Sequence, residues 1–131
     1  MDSKELLKAT NLLLDISSLL MVSGANTIRV NLTINRFADS FNLKSSSFIS
    51  HKSIVMTLYN EDSNKSCTRV TNIPNQAINF NIISEISKIS WDTLNYKWTL
   101  DQISDEINKI STKKRYPKLF VLIAVSLAGA G

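Results

Sequence analysis

The chain is short of the residues from which several kinds of site are built. Its 131 residues include one cysteine, Cys67, and one histidine, His51. A single thiol excludes an internal disulfide framework and suits a reducing compartment. One Cys and one His do not make a zinc-ligand set, so no metal site and no cofactor are expected. Only three glycines are present, two of them at positions 129 and 131, which leaves no glycine-rich loop to cradle a phosphate. His51 could formally join a Ser-His-Asp set, but no serine stands in a nucleophile-elbow pattern, so no catalytic residue is assigned and His51 reads as a turn residue. Cys67 lies in an alternating segment and reads as structural, not as a reactive thiol. The start, Met1-Asp2-Ser3-Lys4-Glu5, does not resemble a secretory signal, and Asp15, Ser17 and Ser18 interrupt the first apolar run.

What is present is enough for one small packed domain. Hydrophobic residues make up 44% and the mean hydropathy is −0.01. Fifteen basic and 11 acidic residues give a net charge of +4. The cations cluster at Lys113-Lys114-Arg115 with Lys118. They abut an apolar run and do not interleave with aromatics, which argues against nucleic acid as a partner.

The first helix is expected over roughly 4–22, with Ser3 as its cap. Its leucines at 6, 7, 13, 14 and 20, with Ile16 and Leu19 between them, suit a helix buried over much of its surface. Ser23-Gly24-Ala25 breaks it, Gly24 supplying the backbone freedom of a helix end. Asn26 or Thr27 then caps a second helix, roughly 26–42, whose Val30, Ile34, Phe37, Ala38 and Phe41 share one face. From Ser45 the period changes. Segments 45–50, 53–59 and 67–73 read as strands of an antiparallel meander, with His51-Lys52 and Asn60–Lys65 as turns and Pro74-Asn75 as the stop. A third helix begins near Asn79, with Ile82, Ile83, Ile86 and Ile89 as its stripe. Trp91 to Trp98 is expected as a connection folded over the core. Tyr59, Tyr96, Trp91 and Trp98 read as core or cover residues. Thr99 and Gln102 form a capping box for a fourth helix with Leu100, Ile103, Ile107 and Ile110 on one face. Asp101 and Asp105 lie off that stripe and read as a solvated face.

The run from Leu119 to Gly131 contains no charge. It is shorter than the ~20 apolar residues a spanning helix needs. Two readings fit: a buried C-terminal helix, or the first part of a transmembrane helix. The small residues Ala128-Gly129-Ala130-Gly131 suit close-packed membrane helices. Tyr116 and the flanking cations stand where interface anchors and cytoplasmic positive charge belong.

Polar candidates are few. Arg29 falls in the first turn of the second helix, where a carboxylate-bearing solute could dock with help from Ser23 and the backbone at Gly24. The plainer reading is an ion pair with Asp15 or Glu85. Arg69, in the third strand, is the second candidate.

The leucine-rich helix, Ser23-Gly24-Ala25, Arg29-Val30, Thr68-Arg69-Val70 and Ile73-Pro74 together resemble the N-terminal cytoplasmic domain of the threonine/serine exporter family (ThrE/YjjP-like). The likeness extends over nearly all of residues 10–131 as a distributed pattern. It implies export of small metabolites, either threonine and serine or a dicarboxylate such as succinate. It also implies a second small membrane subunit in the split branch of the family. The family's N-terminal domain has been likened to hydrolases. Where the family often carries acids after Gly-Ala and after Arg-Val, this chain has Asn26 and Asn31. Where it often has Thr-Pro-Thr-Gly, this chain has Ser50-His51-Lys52-Ser53.

The expectation is therefore an α+β domain over 1–115: an N-terminal αα-hairpin, a three-stranded antiparallel meander and two further helices. The start of a transmembrane helix follows over 116–131. The resemblance implies a homo-oligomer at the inner membrane, with residues 1–115 on the cytoplasmic side, no enzyme activity, and an amino acid or dicarboxylate as solute. Ser23, Gly24, Arg29 and Arg69 are the candidate substrate-binding residues. The alternative is a small-molecule hydrolase or ligand-binding module with a buried C-terminal helix.

Overall fold

The computed structural model describes residues 1–50 and 52–113. The elements are α1 (Ser3–Val22), α2 (Thr27–Ser40), β1 (Lys44–Ile49), β2 (Ser53–Asn60), β3 (Lys65–Asn72), α3 (Phe80–Tyr96) and α4 (Leu100–Lys113). The α+β class, the helical hairpin, the meander and the two later helices are those the sequence predicts. His51 and the expected transmembrane start at 116–131 lie outside the described residues.

α1 is the central element. Every residue from Leu12 to Leu20 is buried, because the helix packs against β2, β3 and the three other helices. Two of its buried hydroxyls are satisfied locally: Thr10 and Ser17 donate to the carbonyls of Leu6 and Leu13 at 2.7 and 2.8 Å. The cap is Asp2, not Ser3; the Asp2 carboxylate accepts from the Glu5 amide at 2.8 Å. A carboxylate both caps and complements the positive helix end.

α1 ends in a Schellman motif. The Gly24 amide donates to Met21 and the Ala25 amide to Leu20, with Gly24 at φ +106°. Asn26 then caps α2, its side-chain oxygen accepting from the Arg29 amide at 2.9 Å. α2 closes the same way, with Asn42 at φ 59° and Leu43 donating back to Ala38. The helix therefore stops at Ser40. Phe41 becomes its half-buried C-cap and not a further residue of the apolar stripe.

The sheet order is β1-β2-β3, antiparallel throughout. Ile54, Met56 and Leu58 alternate along β2 as fully buried residues beneath the helices. On the opposite face Phe48, Val55 and Val70 stand in one cross-strand row, the outer two exposed. β3 starts at Lys65, two residues earlier than expected. The ladder continues to the Asn60–Lys65 pair, because Asn60 gathers the amides of Asp62 and Ser63 on its side-chain oxygen and Asn64 takes φ 55° to close the turn.

α3 overturns one expectation. Trp91 to Tyr96 is helical and not a connection. The inward residues there are Ser90 and Thr93, whose hydroxyls donate to Ser87 and Ile89 within the helix. Polar residues satisfied in this way bury without an apolar signature. Tyr96 is 72% exposed and covers nothing. Lys97 takes the left-handed conformation that ends α3. The capping box forms as read: Thr99 Oγ1 accepts from the Gln102 amide at 3.2 Å, and Gln102 Oε1 accepts from the Thr99 amide at 2.8 Å. Asp101 is not merely solvated, since it pairs with Lys8 of α1.

α2 and α3 share a polarity, opposite to that of α1. Arg36 of α2 reaches Ser87 and Ser90 of α3 and lies over the Trp91 ring at 4.3 Å, and Ser40 donates to the Thr93 carbonyl. α2 and α3 therefore run side by side in the same direction. α4 begins at the Lys8–Asp101 pair, at the N-terminal end of α1. Its stripe stays in the common core as far as Ile110, so it runs back toward the end where α1 finishes and α2 and α3 start.

Candidate functional site

Three of the four candidate residues meet at the α1–α2 turn. Ser23 is the C-cap of α1 and fully buried. Its carbonyl accepts from the Asn79 amide at 3.0 Å, and its hydroxyl has no partner among the described residues. Gly24 lies beneath the segment leading to α3. A Cβ placed there would sit 3.5 Å from Ile78 and 3.6 Å from Phe80. The amides of Gly24 and Ala25 are both spent on the Schellman motif, so neither is left for a solute. Arg29 projects one turn into α2 and is exposed. Neither expected ion pair forms: the ion pairs among the described residues are Lys8–Asp101, Lys44–Glu61 and Lys109–Glu106. For Asp15 the reason is geometric, since it is enclosed within the core around α1 while Arg29 faces solvent.

Arg69 stands apart. It is exposed on β3, paired in register with Met56, at the edge of the sheet that packs on α1. α2 instead packs on β1 at the other edge.

The sequence drew attention to Asp15 as a break in the first apolar run and as a partner for Arg29, and the structure gives it a different character. Asp15 is 8% exposed, and its Oδ2 has no partner among the described residues. Burial pushes its carboxyl up from 3.8 to about 8. Ser18, one turn on, also carries an unpartnered buried hydroxyl. The cue in the sequence was a lone acid inside a leucine-rich helix. Glu85 of α3 has one buried oxygen without a partner as well. Among the described residues no three His, Cys, Asp or Glu side chains gather as a metal site.

Open grooves flank the domain. One, about 350 Å³, lies where the α3–α4 connection meets the start of α1 and includes Glu5, Lys8, Trp98 and Asp101. Another, about 630 Å³, is bounded by Met21, Lys52 and the Asn72–Gln76 stretch. None of the four candidate residues lines either groove.

The family model titled "Putative threonine/serine exporter" matches residues 11–131. The chain belongs to this exporter family. No curated protein and no solved structure matches it. The chain accordingly has a threonine/serine exporter-like transport role at the membrane. Among the described residues no helix is long and apolar enough to cross a membrane. The uncharged run of the exporter match, 119–131, lies beyond them.

Proposed function

We propose that residues 1–115 form the cytoplasmic domain of an inner-membrane exporter, and that 116–131 begin its first membrane helix. The observation that carries this is the extent of the family match, which takes in both the α+β domain and the apolar run after it. Lys114, Arg115 and Lys118 before that run are the excess of cations that holds a flank in the cytoplasm. The domain serves regulation, assembly or delivery of solute in a homo-oligomer working with a second small membrane subunit. The solute is threonine or serine, with a dicarboxylate as the other member of the class.

Sidedness tests this reading. In membranes from cells producing the chain, a protease that cuts after lysine meets the exposed Asn64–Lys65 turn. Inverted vesicles should lose the domain and right-side-out vesicles should keep it. Cleavage only in right-side-out vesicles would place the domain outside and overturn the proposal.

A further inference from the structure

One end of the domain is built unlike the rest. Here α1 finishes, α2 and α3 start, and the Ile73–Asn79 segment is strapped on by hydrogen bonds from Ala77 to Val22 and from Asn79 to Ser23. Four large apolar side chains stand exposed at this end: Ile28 (71%), Leu32 (55%), Ile78 (63%) and Phe80 (67%). Ile28 and Leu32 are one turn apart on α2, and Ile78 and Phe80 flank Gly24. Exposed apolar side chains gathered in this way mark a surface that meets something.

The charge at the same end says what it meets. Between Ile16 and Asn35 the only charged residue is Arg29, and between Val70 and Ser84 there is none. From Ser45 to Asn60 the sequence contains Lys52 and no acid. Lys52 reaches this end through its carbonyl, which accepts from the Ile73 amide at 2.7 Å, and both Arg29 and Lys52 are exposed. Six of the 11 acids stand at the opposite end, where Asp2 and Glu5 open α1, Asp39 closes α2, Glu61 and Asp62 form the β2–β3 turn, and Asp101 opens α4, while Glu85, in the second turn of α3, is half-buried and not among the exposed charges of this end. α4 runs toward the Arg29–Lys52 end and finishes on that side at Lys113. A second copy would bring like charges against Arg29 and Lys52, whereas an anionic lipid surface complements them.

We infer that the Ile28–Leu32–Ile78–Phe80 end is a membrane-docking surface, seating its apolar side chains among the headgroups of an anionic leaflet with Arg29 and Lys52 on the lipid phosphates. This rests on the membrane reading of the chain, and it adds which end of the domain faces the bilayer. Large apolar side chains inserted to headgroup depth beside cations are how peripheral surfaces hold such a leaflet.

The test uses the full chain in a Cys67→Ser background, labelled with an environment-sensitive fluorophore at Ile78→Cys or, at the far end, at Glu61→Cys. Vesicles contain equal parts phosphatidylglycerol and phosphatidylcholine, or phosphatidylcholine alone, with a nitroxide-bearing lipid as quencher. On the anionic vesicles the label at 78 should be quenched about threefold more than the label at 61. Arg29→Glu combined with Lys52→Glu should cut that quenching about fivefold. Flotation of the vesicles separates the failures. A chain that floats while both labels stay in water overturns the docking surface and leaves the membrane anchor standing. A chain that does not float removes both. Shielding at 78 that grows with protein concentration and ignores the lipid quencher overturns the proposal in favour of a second copy.

Discussion

Replacing Asp15 by asparagine should make the domain's stability less dependent on pH. In the folded chain burial raises the Asp15 carboxyl from 3.8 to about 8. Between those values the folded state holds a proton that the unfolded state has released. Stability from this group is therefore complete below about pH 4, falls as pH rises through the interval, and is flat above about pH 8. Each pH unit is worth about 1.4 kcal/mol if the group titrates ideally. From pH 5 to pH 8 the ceiling is thus about 4 kcal/mol, and side-chain relaxation or water entry on ionisation trims it to about 2–4 kcal/mol. Domains of this size have ~5–15 kcal/mol in total, so the effect should dominate the pH profile. Asparagine keeps the shape and cannot ionise, though its amide adds donors that cost about 1–3 kcal/mol if unpaired. That cost is independent of pH, so the informative quantity is the slope. Urea unfolding of the full chain in non-ionic detergent at pH 5, 6, 7 and 8 should show wild type losing stability relative to Asp15→Asn at each step. Parallel profiles across that range would refute the reasoning and mean that Asp15 is hydrated or paired in solution.

Two further outcomes follow from local geometry. Gly24→Ala should cost about 1 kcal/mol through its backbone alone. The added methyl would meet Ile78 and Phe80 only at ordinary contact distance, so a loss of more than about 3 kcal/mol in urea unfolding would show that the turn is packed more tightly than those distances imply. Arg29→Ala removes a side chain that forms no ion pair among the described residues. It should change stability by less than about 0.5 kcal/mol, as thermal unfolding would show.

The sequence made the fold legible wherever apolar spacing and local capping agree. The isoleucine stripe of α3, the Leu100–Ile110 stripe of α4, the Thr99–Gln102 capping box and the glycine stop of α1 are all as read, because each is decided within a few residues. The second half of α3 was hidden because Ser90 and Thr93 face inward with hydroxyls satisfied inside their own helix. A periodicity argument counts such residues as polar and sees no helix. Asp2 displaced Ser3 as a cap because either residue suits the position and the sequence does not choose between them.

The candidate site was legible only in part. Ser23, Gly24 and Arg29 are close in sequence and share one turn, while Arg69 occupies another edge of the domain. Whether a backbone amide is available to a ligand depends on how the helix ends, and the Schellman motif takes both amides at Gly24 and Ala25. The exposure of Ile28, Leu32 and Phe80 was also not readable. Ile28 and Leu32 stand outside the apolar stripe of α2, and Phe80 stands outside that of α3. Only tertiary packing determines which apolar residues are left uncovered.

The measurement that bears most directly on the exporter reading is membrane retention after carbonate extraction, comparing the full chain with one that ends at Arg115 and so lacks residues 116–131. The full chain should stay with the membrane and the shortened one should be released in a folded state. Release of both, or unfolding of the shortened chain in solution, would contradict that reading and place the apolar run in the core of a soluble module.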